Sequence, residues 1–78
     1  MHILVVDDEP FNQALLEDML VDMGHVVAVA SSGEEGLSKF REQLPDIVLM
    51  DVMMPGMNGF DTVRAMRLLQ MYGYRLFL

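Results

Sequence analysis

The chain has 78 residues, which is enough for one small domain. Of these residues 53% are hydrophobic, and so large an apolar fraction in so short a chain predicts that some apolar surface is buried against another chain. Twelve acidic residues against five basic ones give a net charge of −7, which argues against direct nucleic acid binding and against binding to an anionic membrane surface. The lack of cysteine excludes disulfides and thiolate zinc sites and fits a cytoplasmic protein, while no apolar run is long enough to span a membrane and the start of the chain lacks the basic region of a signal peptide.

The first strand and the first helix are predicted in the opening third of the chain. Residues 2–6 form an apolar run without alternating polarity, as in a parallel strand that is covered on both faces. Pro10 suits the first turn of the following helix, and Gly24 suits its C-terminal cap. The apolar residues of this helix recur every three or four positions and predict one apolar stripe: Phe11, Leu15, Leu16, Met19, Leu20 and Met23.

Two further strands are predicted at residues 26–30 and 47–50, with a helix between them. Ser32 and Glu35 have the spacing of a capping box at the start of this helix, and Pro45 ends it. Lys39 lies on this helix and is predicted to point away from Asp7, Asp8 and Asp51. Its predicted apolar face consists of Leu37, Phe40 and Leu44.

A third helix is predicted after Asn58, which is a favourable N-cap, and Gly73 is predicted to end it. Residues 74–78 are interpreted either as a short fourth strand or as a tail, and the sequence favours neither. Alternation of strands and helices predicts an α/β fold with a parallel sheet. The positions of the third helix that are predicted to face inward are Phe60, Val63 and Met66.

Acidic residues follow two of the predicted strands directly: Asp7, Asp8 and Glu9 after the first, and Asp51 after the third. The carboxyl ends of parallel strands share one edge of a sheet. If these two strands are neighbours, about 4.8 Å apart, their carboxylates converge and each pair repels by roughly 3 kcal/mol at an effective dielectric of 20. A hard divalent cation such as Mg²⁺ relieves this repulsion, and a carboxylate beside it is able to attack phosphorus.

An alternative interpretation of Asp7, Asp8 and Glu9 is that they complement the dipole at the start of the first helix. Asp51 favours the metal interpretation, because it ends a buried strand and is followed by Val-Met-Met-Pro-Gly, where no helix needs a cap.

Four segments together have a recognisable pattern: ILVVDDEP (3–10), ASSGEEGL (30–37), PDIVLMDVMMPGMNG (45–59) and FDTVRAMR (60–67). In these segments the chain resembles the receiver domains of bacterial two-component response regulators, and the resemblance covers residues 2–70. An acid pair followed by D-x-x-M-P-G-x-x-G is a specific signature at these spacings.

The resemblance implies a flavodoxin-like (CheY-like) fold, a parallel sheet with helices on both faces. It implies that Asp51 accepts a phosphoryl group from a histidine kinase or a phosphotransfer protein, and we do not expect the chain to be an enzyme. It also implies a Mg²⁺ site in which Asp8 and Asp51 bind by their side chains, Met53 by its main-chain carbonyl and Asp7 through water. The residues implied to shape the adjoining loop and the turn into the third helix are Pro55, Gly56 and Gly59.

The family also carries a Ser or Thr at the end of a fourth strand and a Lys at the end of a fifth, and this sequence has neither strand end. We therefore interpret residues 1–78 as a receiver domain truncated after its third βα unit. Because a bare parallel edge favours pairing, we expect a homo-oligomer.

Three hypotheses for function follow from these observations. The first is a phosphoacceptor module of two-component signalling, and the second is a self-associating receiver fragment that is not phosphorylated. The third is a Mg²⁺-dependent phosphohydrolase, which usually carries an acid two residues after its nucleophile. Met53 stands at that position here and disfavours the third hypothesis.

Overall fold

The structure, a computed structural model, describes residues 1–51 and 59–70, in which strands and helices alternate along the chain. The elements are β1 (His2–Val6), α1 (Pro10–Asp22), β2 (Val26–Ala30), α2 (Gly33–Gln43), β3 (Ile47–Met50) and α3 (Gly59–Gln70). All three strands have the predicted bounds. The predictions for Asn58, for Gly73 and for residues 74–78 lie outside the described residues.

The three described strands form a parallel sheet in the order β2-β1-β3. Val6, the last residue of β1, lies opposite Ala30 on one side and Met50 on the other. This register makes all three strands end at the same level of the sheet, so the residues that follow them emerge together.

Helices cover both faces of the sheet, as predicted. Leu4 and Val6 point to one face, where α2 packs against β1 and α3 packs against α2. Val5 points to the opposite face, as alternate residues of a strand do, and there it lines the same cavity as Leu16 of α1. The buried side chains of the α2 and α3 side are Leu4, Val6, Ala30, Phe40, Val48 and Met66.

Helix α1 has the predicted ends but not the predicted single stripe. Pro10 is its first residue, and Gly24 follows its C-terminal cap with a φ of +91°. Only one row of apolar residues, which includes Leu16 and Leu20, is half-buried. The prediction was wrong for the other row, which lies about 100° round the helix and is exposed: Phe11, Leu15, Met19 and Met23.

Helix α2 begins with the predicted capping box. The Ser32 hydroxyl accepts a hydrogen bond from the Glu35 main-chain N–H at 3.1 Å, and the Glu35 carboxylate accepts one from the N–H of Ser31 at 2.6 Å. Lys39, one turn later, donates to the main-chain carbonyl of Val29 on β2. Its ammonium is also 3.6 Å from the Glu35 carboxylate. Leu44 caps the end of the helix in the left-handed region and is exposed, contrary to its predicted place on the apolar face.

Helix α3 turns two of its three predicted positions inward. Met66 is fully buried and Val63 is half-buried, as expected. Thr62 is also fully buried, whereas the side chain of Phe60 is 65% exposed. Thr62 and Met66 are four residues apart and share one face, and Phe60 lies nearly opposite Thr62 because two residues span about 200° of helix.

Among the described helices, none has both the length and the apolar composition that crossing a bilayer requires.

Close approach of α2 to β1 gives a testable prediction. A Cβ at Gly36 would lie 2.8 Å from Cγ2 of Val6 and 3.1 Å from its Cγ1. Gly36→Val should therefore force the helix away from the sheet and lower the free energy of unfolding by about 2 kcal/mol, as overpacked core sites do. Chemical denaturation followed by circular dichroism measures the change.

The matched control is Ser38→Val, which places the same β-branched residue on an exposed position of the same helix. If both variants lose the same stability, an effect of valine that does not depend on its position in this helix explains the loss, and the close contact with Val6 does not.

Candidate metal centre

Three carboxylates converge at the carboxyl edge of the sheet. Asp7 and Asp8 follow β1 directly, and Asp51 follows β3 directly. Each of them offers a carboxylate oxygen to a group in which all the oxygens lie within 4.8 Å of one another. The predicted convergence is confirmed, and its cause is the direct pairing of β1 with β3.

Main-chain hydrogen bonds fix the two strand ends that carry these residues. The N–H of Asp7 donates to the carbonyl of Ala30 at 3.0 Å, and the N–H of Asp51 donates to the carbonyl of Val6 at 2.9 Å. Both bonds continue the hydrogen bonding of the sheet by one residue beyond its strands. Asp7 and Asp51 are therefore held by the sheet itself and not by a free loop.

The three carboxylates differ in their exposure to solvent. Asp7 is buried at 9% exposure, Asp51 is half-buried, and Asp8 is exposed. One oxygen of Asp7, Oδ1, accepts a hydrogen bond from the N–H of Glu9 at 2.9 Å. Asp7 is thus the innermost and most constrained of the three side chains.

The helix-capping role belongs to Glu9. Its side chain accepts a hydrogen bond from the N–H of Phe11 at 3.2 Å, and it occupies the N-cap position of α1. The alternative interpretation, in which these acids serve the start of the first helix, therefore holds for Glu9. Asp7 and Asp8 belong to the carboxylate cluster instead.

Like charges at this separation repel one another. At 4.8 Å, two carboxylates repel by about 1 kcal/mol in bulk water and by roughly 3 kcal/mol at an effective dielectric of 20. Two of the basic residues that the structure describes have acidic partners of their own: Lys39 interacts with Glu35, and Arg64 lies 3.8 Å from Asp61.

The donor set fits a small hard cation. All three groups offer oxygen, and their combined charge of −3 favours a divalent ion. Mg²⁺ is usually held by one or two carboxylates together with waters and phosphate oxygens. Exposed Asp8 and half-buried Asp51 leave room for such additional ligands.

An apolar cavity of about 180 Å³ opens beside the cluster on the α1 side of the sheet. Val5, Leu16 and Leu49 line its walls, and Asp7 and Asp51 also contribute to its lining. Apolar walls lower the local dielectric constant, which strengthens the interaction of the carboxylates with any cation between them.

The remaining predicted site residues are only partly described. Gly59 is the first residue of α3, and its predicted role in the turn into that helix stays a prediction. Met53, Pro55 and Gly56 lie outside the described residues, so their predicted roles stay predictions.

Gln13 is a site residue that the sequence analysis missed. Its side-chain Nε2 donates to the main-chain carbonyl of Asp7 and, at 3.0 Å, to the hydroxyl of Ser31. A glutamine on the first turn of a helix carries no such signal in the sequence, because its partners belong to the strand end before it and to the next strand end.

Comparison with known proteins identifies the family. Residues 3–77 match the model of the family described as response regulator receiver domain. The transcriptional regulatory protein AfsQ1 of Streptomyces coelicolor is 45% identical over 65 residues, which are 83% of this chain and 29% of that protein. Protein PilH of Pseudomonas aeruginosa is 45% identical over 64 residues, which are 82% of this chain and 53% of that protein.

A solved structure agrees with these sequence matches. The response regulator TrrA of Thermotoga maritima, in complex with Mg²⁺-BeF, superposes with a TM-score of 0.85 at 38% identity, covering 90% of this chain and 61% of that one. The chain spans about half of the length of PilH and less than a third of AfsQ1. With its parallel sheet and its acidic cluster, the chain belongs to the response regulator receiver family of two-component signalling.

Proposed function

We propose that this chain accepts a phosphoryl group on the carboxylate of Asp51, with Mg²⁺ bound beside it. The carrying observation is that the carboxylate oxygens of Asp7, Asp8 and Asp51 lie within 4.8 Å of one another at the ends of adjacent parallel strands. The donor is a histidine kinase or a phosphotransfer protein. The chain acts as a cytoplasmic signalling module, and it is not itself an enzyme.

Asp51 is the acceptor because it combines a fixed main chain with access to solvent. Its N–H is bound to the carbonyl of Val6, which holds the residue in place, while its side chain is half-buried. One carboxylate oxygen attacks phosphorus, a new P–O bond forms, and the bond from phosphorus to the donor breaks. The donor atom leaves with the electron pair of that bond.

The other two acids have separate roles. Asp8 is exposed and would hold the cation together with Asp51. Asp7 would act through a water, because its Oδ1 already accepts the N–H of Glu9. The cation would supply positive charge to the phosphoryl oxygens. The carbonyl of Met53 completes the proposed ligand set, and Pro55 and Gly56 are proposed to support the loop. The complex of TrrA with Mg²⁺-BeF supports the choice of metal.

The first prediction of the proposed function concerns the acceptor. Incubation with a small phosphodonor and Mg²⁺ should add the mass of one phosphoryl group to the wild-type chain, and Asp51→Asn should abolish this gain because the amide is not a nucleophile. Intact-mass spectrometry at neutral pH, before the acyl phosphate hydrolyses, measures the outcome.

Asp18→Asn is the matched control, since it removes the same charge from an exposed position of α1 and should still be phosphorylated. An equal mass gain in Asp51→Asn would show that another residue is the acceptor. No gain in the wild-type chain at any donor concentration would favour the self-associating alternative.

The second prediction concerns charge in the cluster without metal. Asp8→Asn should raise the free energy of unfolding by about 1 kcal/mol, because it removes two repulsive pairs that solvent partly screens. The melting temperature should rise by roughly 4–8 °C. Addition of Mg²⁺ should stabilise the wild-type chain and have little effect on the variant.

Asp18→Asn serves again as the control for the change in net charge. If it stabilises the metal-free chain as much as Asp8→Asn does, the gain in stability comes from the lower net negative charge of the chain. Repulsion within the cluster would then not explain it.

A second candidate function is self-association, and the exposed apolar row of α1 favours it. Phe11 is 71% exposed and Met23 is 68% exposed, and the row continues between them through Leu15 and Met19. These residues are four apart and form a continuous strip. A homo-oligomer that pairs two such strips removes this apolar surface from water.

The third prediction tests this strip. The wild-type chain should elute as a dimer or larger species at micromolar concentration in size-exclusion chromatography with light scattering. Met19→Gln should shift it toward the monomer, whereas Val21→Gln should not, because Val21 is equally exposed but lies on another side of the helix. A wild-type monomer under these conditions would contradict the proposal.

A further inference from the structure

The carboxamide of Gln13 ties the loop that carries Asp7 and Asp8 to the end of β2. Its Nε2 donates to the carbonyl of Asp7 and to the hydroxyl of Ser31 at 3.0 Å, and the carbonyl of Ala30 lies 3.5 Å away. Two of these three groups are main-chain carbonyls, which only accept hydrogen bonds. The end of the side chain that faces them must therefore be a donor.

The bond to Asp7 controls the direction of the next residue. The carbonyl of Asp7 belongs to the peptide group that leads into Asp8, so holding its oxygen fixes the plane of that peptide. The other end of Asp7 is fixed as well, since its N–H donates to Ala30. Asp8 is exposed, so packing around its side chain does little to position it, and its placement depends on this peptide.

Gln13 is itself firmly placed. It lies on α1, and its main-chain N–H donates to the carbonyl of Glu9 at 3.1 Å. Its acceptor Ser31 is held from the other side, because the N–H of Ser31 donates to the carboxylate of Glu35 at 2.6 Å. The hydrogen bonds thus connect the acidic loop to α1 and to the start of α2.

We propose that Gln13 is a positioning residue for the cation site, and that it acts by fixing the peptide between Asp7 and Asp8. This inference rests on the proposed function, because it concerns the same cation. Gln13 does not touch the cation; it holds the carboxylate of Asp8 at the distance from Asp51 that shared binding requires. Without this hydrogen bond, the peptide reorients and Asp8 samples positions outside the cluster.

The test is a Mg²⁺ titration of the full chain, followed by the amide resonances of Asp8 and Asp51 in NMR spectra. Gln13→Met keeps the length of the side chain and removes the donor. Its dissociation constant for Mg²⁺ should rise about tenfold, at the low end of the effect of groups that orient metal ligands. The amide resonance of Asp8 should also shift in the metal-free variant, which a purely global loss of stability does not produce.

The control and the second variant keep the test decisive. Gln43→Met makes the same exchange at an exposed position at the end of α2 and should leave the dissociation constant unchanged. Gln13→Asn retains the carboxamide but is one methylene too short to reach Asp7, and it should weaken Mg²⁺ binding as Gln13→Met does. It also replaces that variant if the methionine prevents folding.

The two proposals fail in different ways. Mg²⁺ binding by the wild-type chain with an unchanged dissociation constant in a folded Gln13 variant would overturn the role of Gln13 and leave the proposed function intact. Lack of Mg²⁺ binding by the wild-type chain would overturn both.

Discussion

The parallel pairing of β1 with β3 is the constraint on which the site depends. Residues 7 and 51 are far apart in sequence, and they meet only because Val6 and Met50 lie opposite each other at the ends of the two strands. The hydrogen bond from the N–H of Asp51 to Val6 extends that pairing into the site. A shift of this register would separate the carboxylates and turn alternate side chains of the strand to the other face.

The strand positions and the ends of α1 and α2 were predictable from the sequence, because local rules determine them. Apolar runs bounded by charged or turn residues gave the strand bounds, and Pro10 and Ser32 marked two helix starts. The facing of helices was less predictable. Apolar spacing correctly placed Met66 inward and wrongly placed Phe60 there. The packing of α3 against α2 buries Thr62 instead, and apolar periodicity does not predict a buried threonine.

The same distinction applies to the site. Asp7, Asp8 and Asp51 were predictable because the carboxyl ends of neighbouring parallel strands must meet. Gln13 was not, because its hydrogen bonds join a helix to two different strand ends, and nothing in the local sequence marks a side chain for such contacts. Residues that supply the charge of a site are thus easier to find from the sequence than residues that orient the main chain to which the charged side chains are attached.

The position of Lys39 restricts how the sheet can grow. β2 is an outer strand of the described sheet. The carbonyl of Ala30 points inward to β1, so the carbonyl of the preceding residue, Val29, points outward. There it accepts a hydrogen bond from the ammonium of Lys39. An incoming strand would have to displace a charged group from its hydrogen bond and from Glu35. Among the described strands, addition of a further strand is therefore less favourable at β2 than at β3.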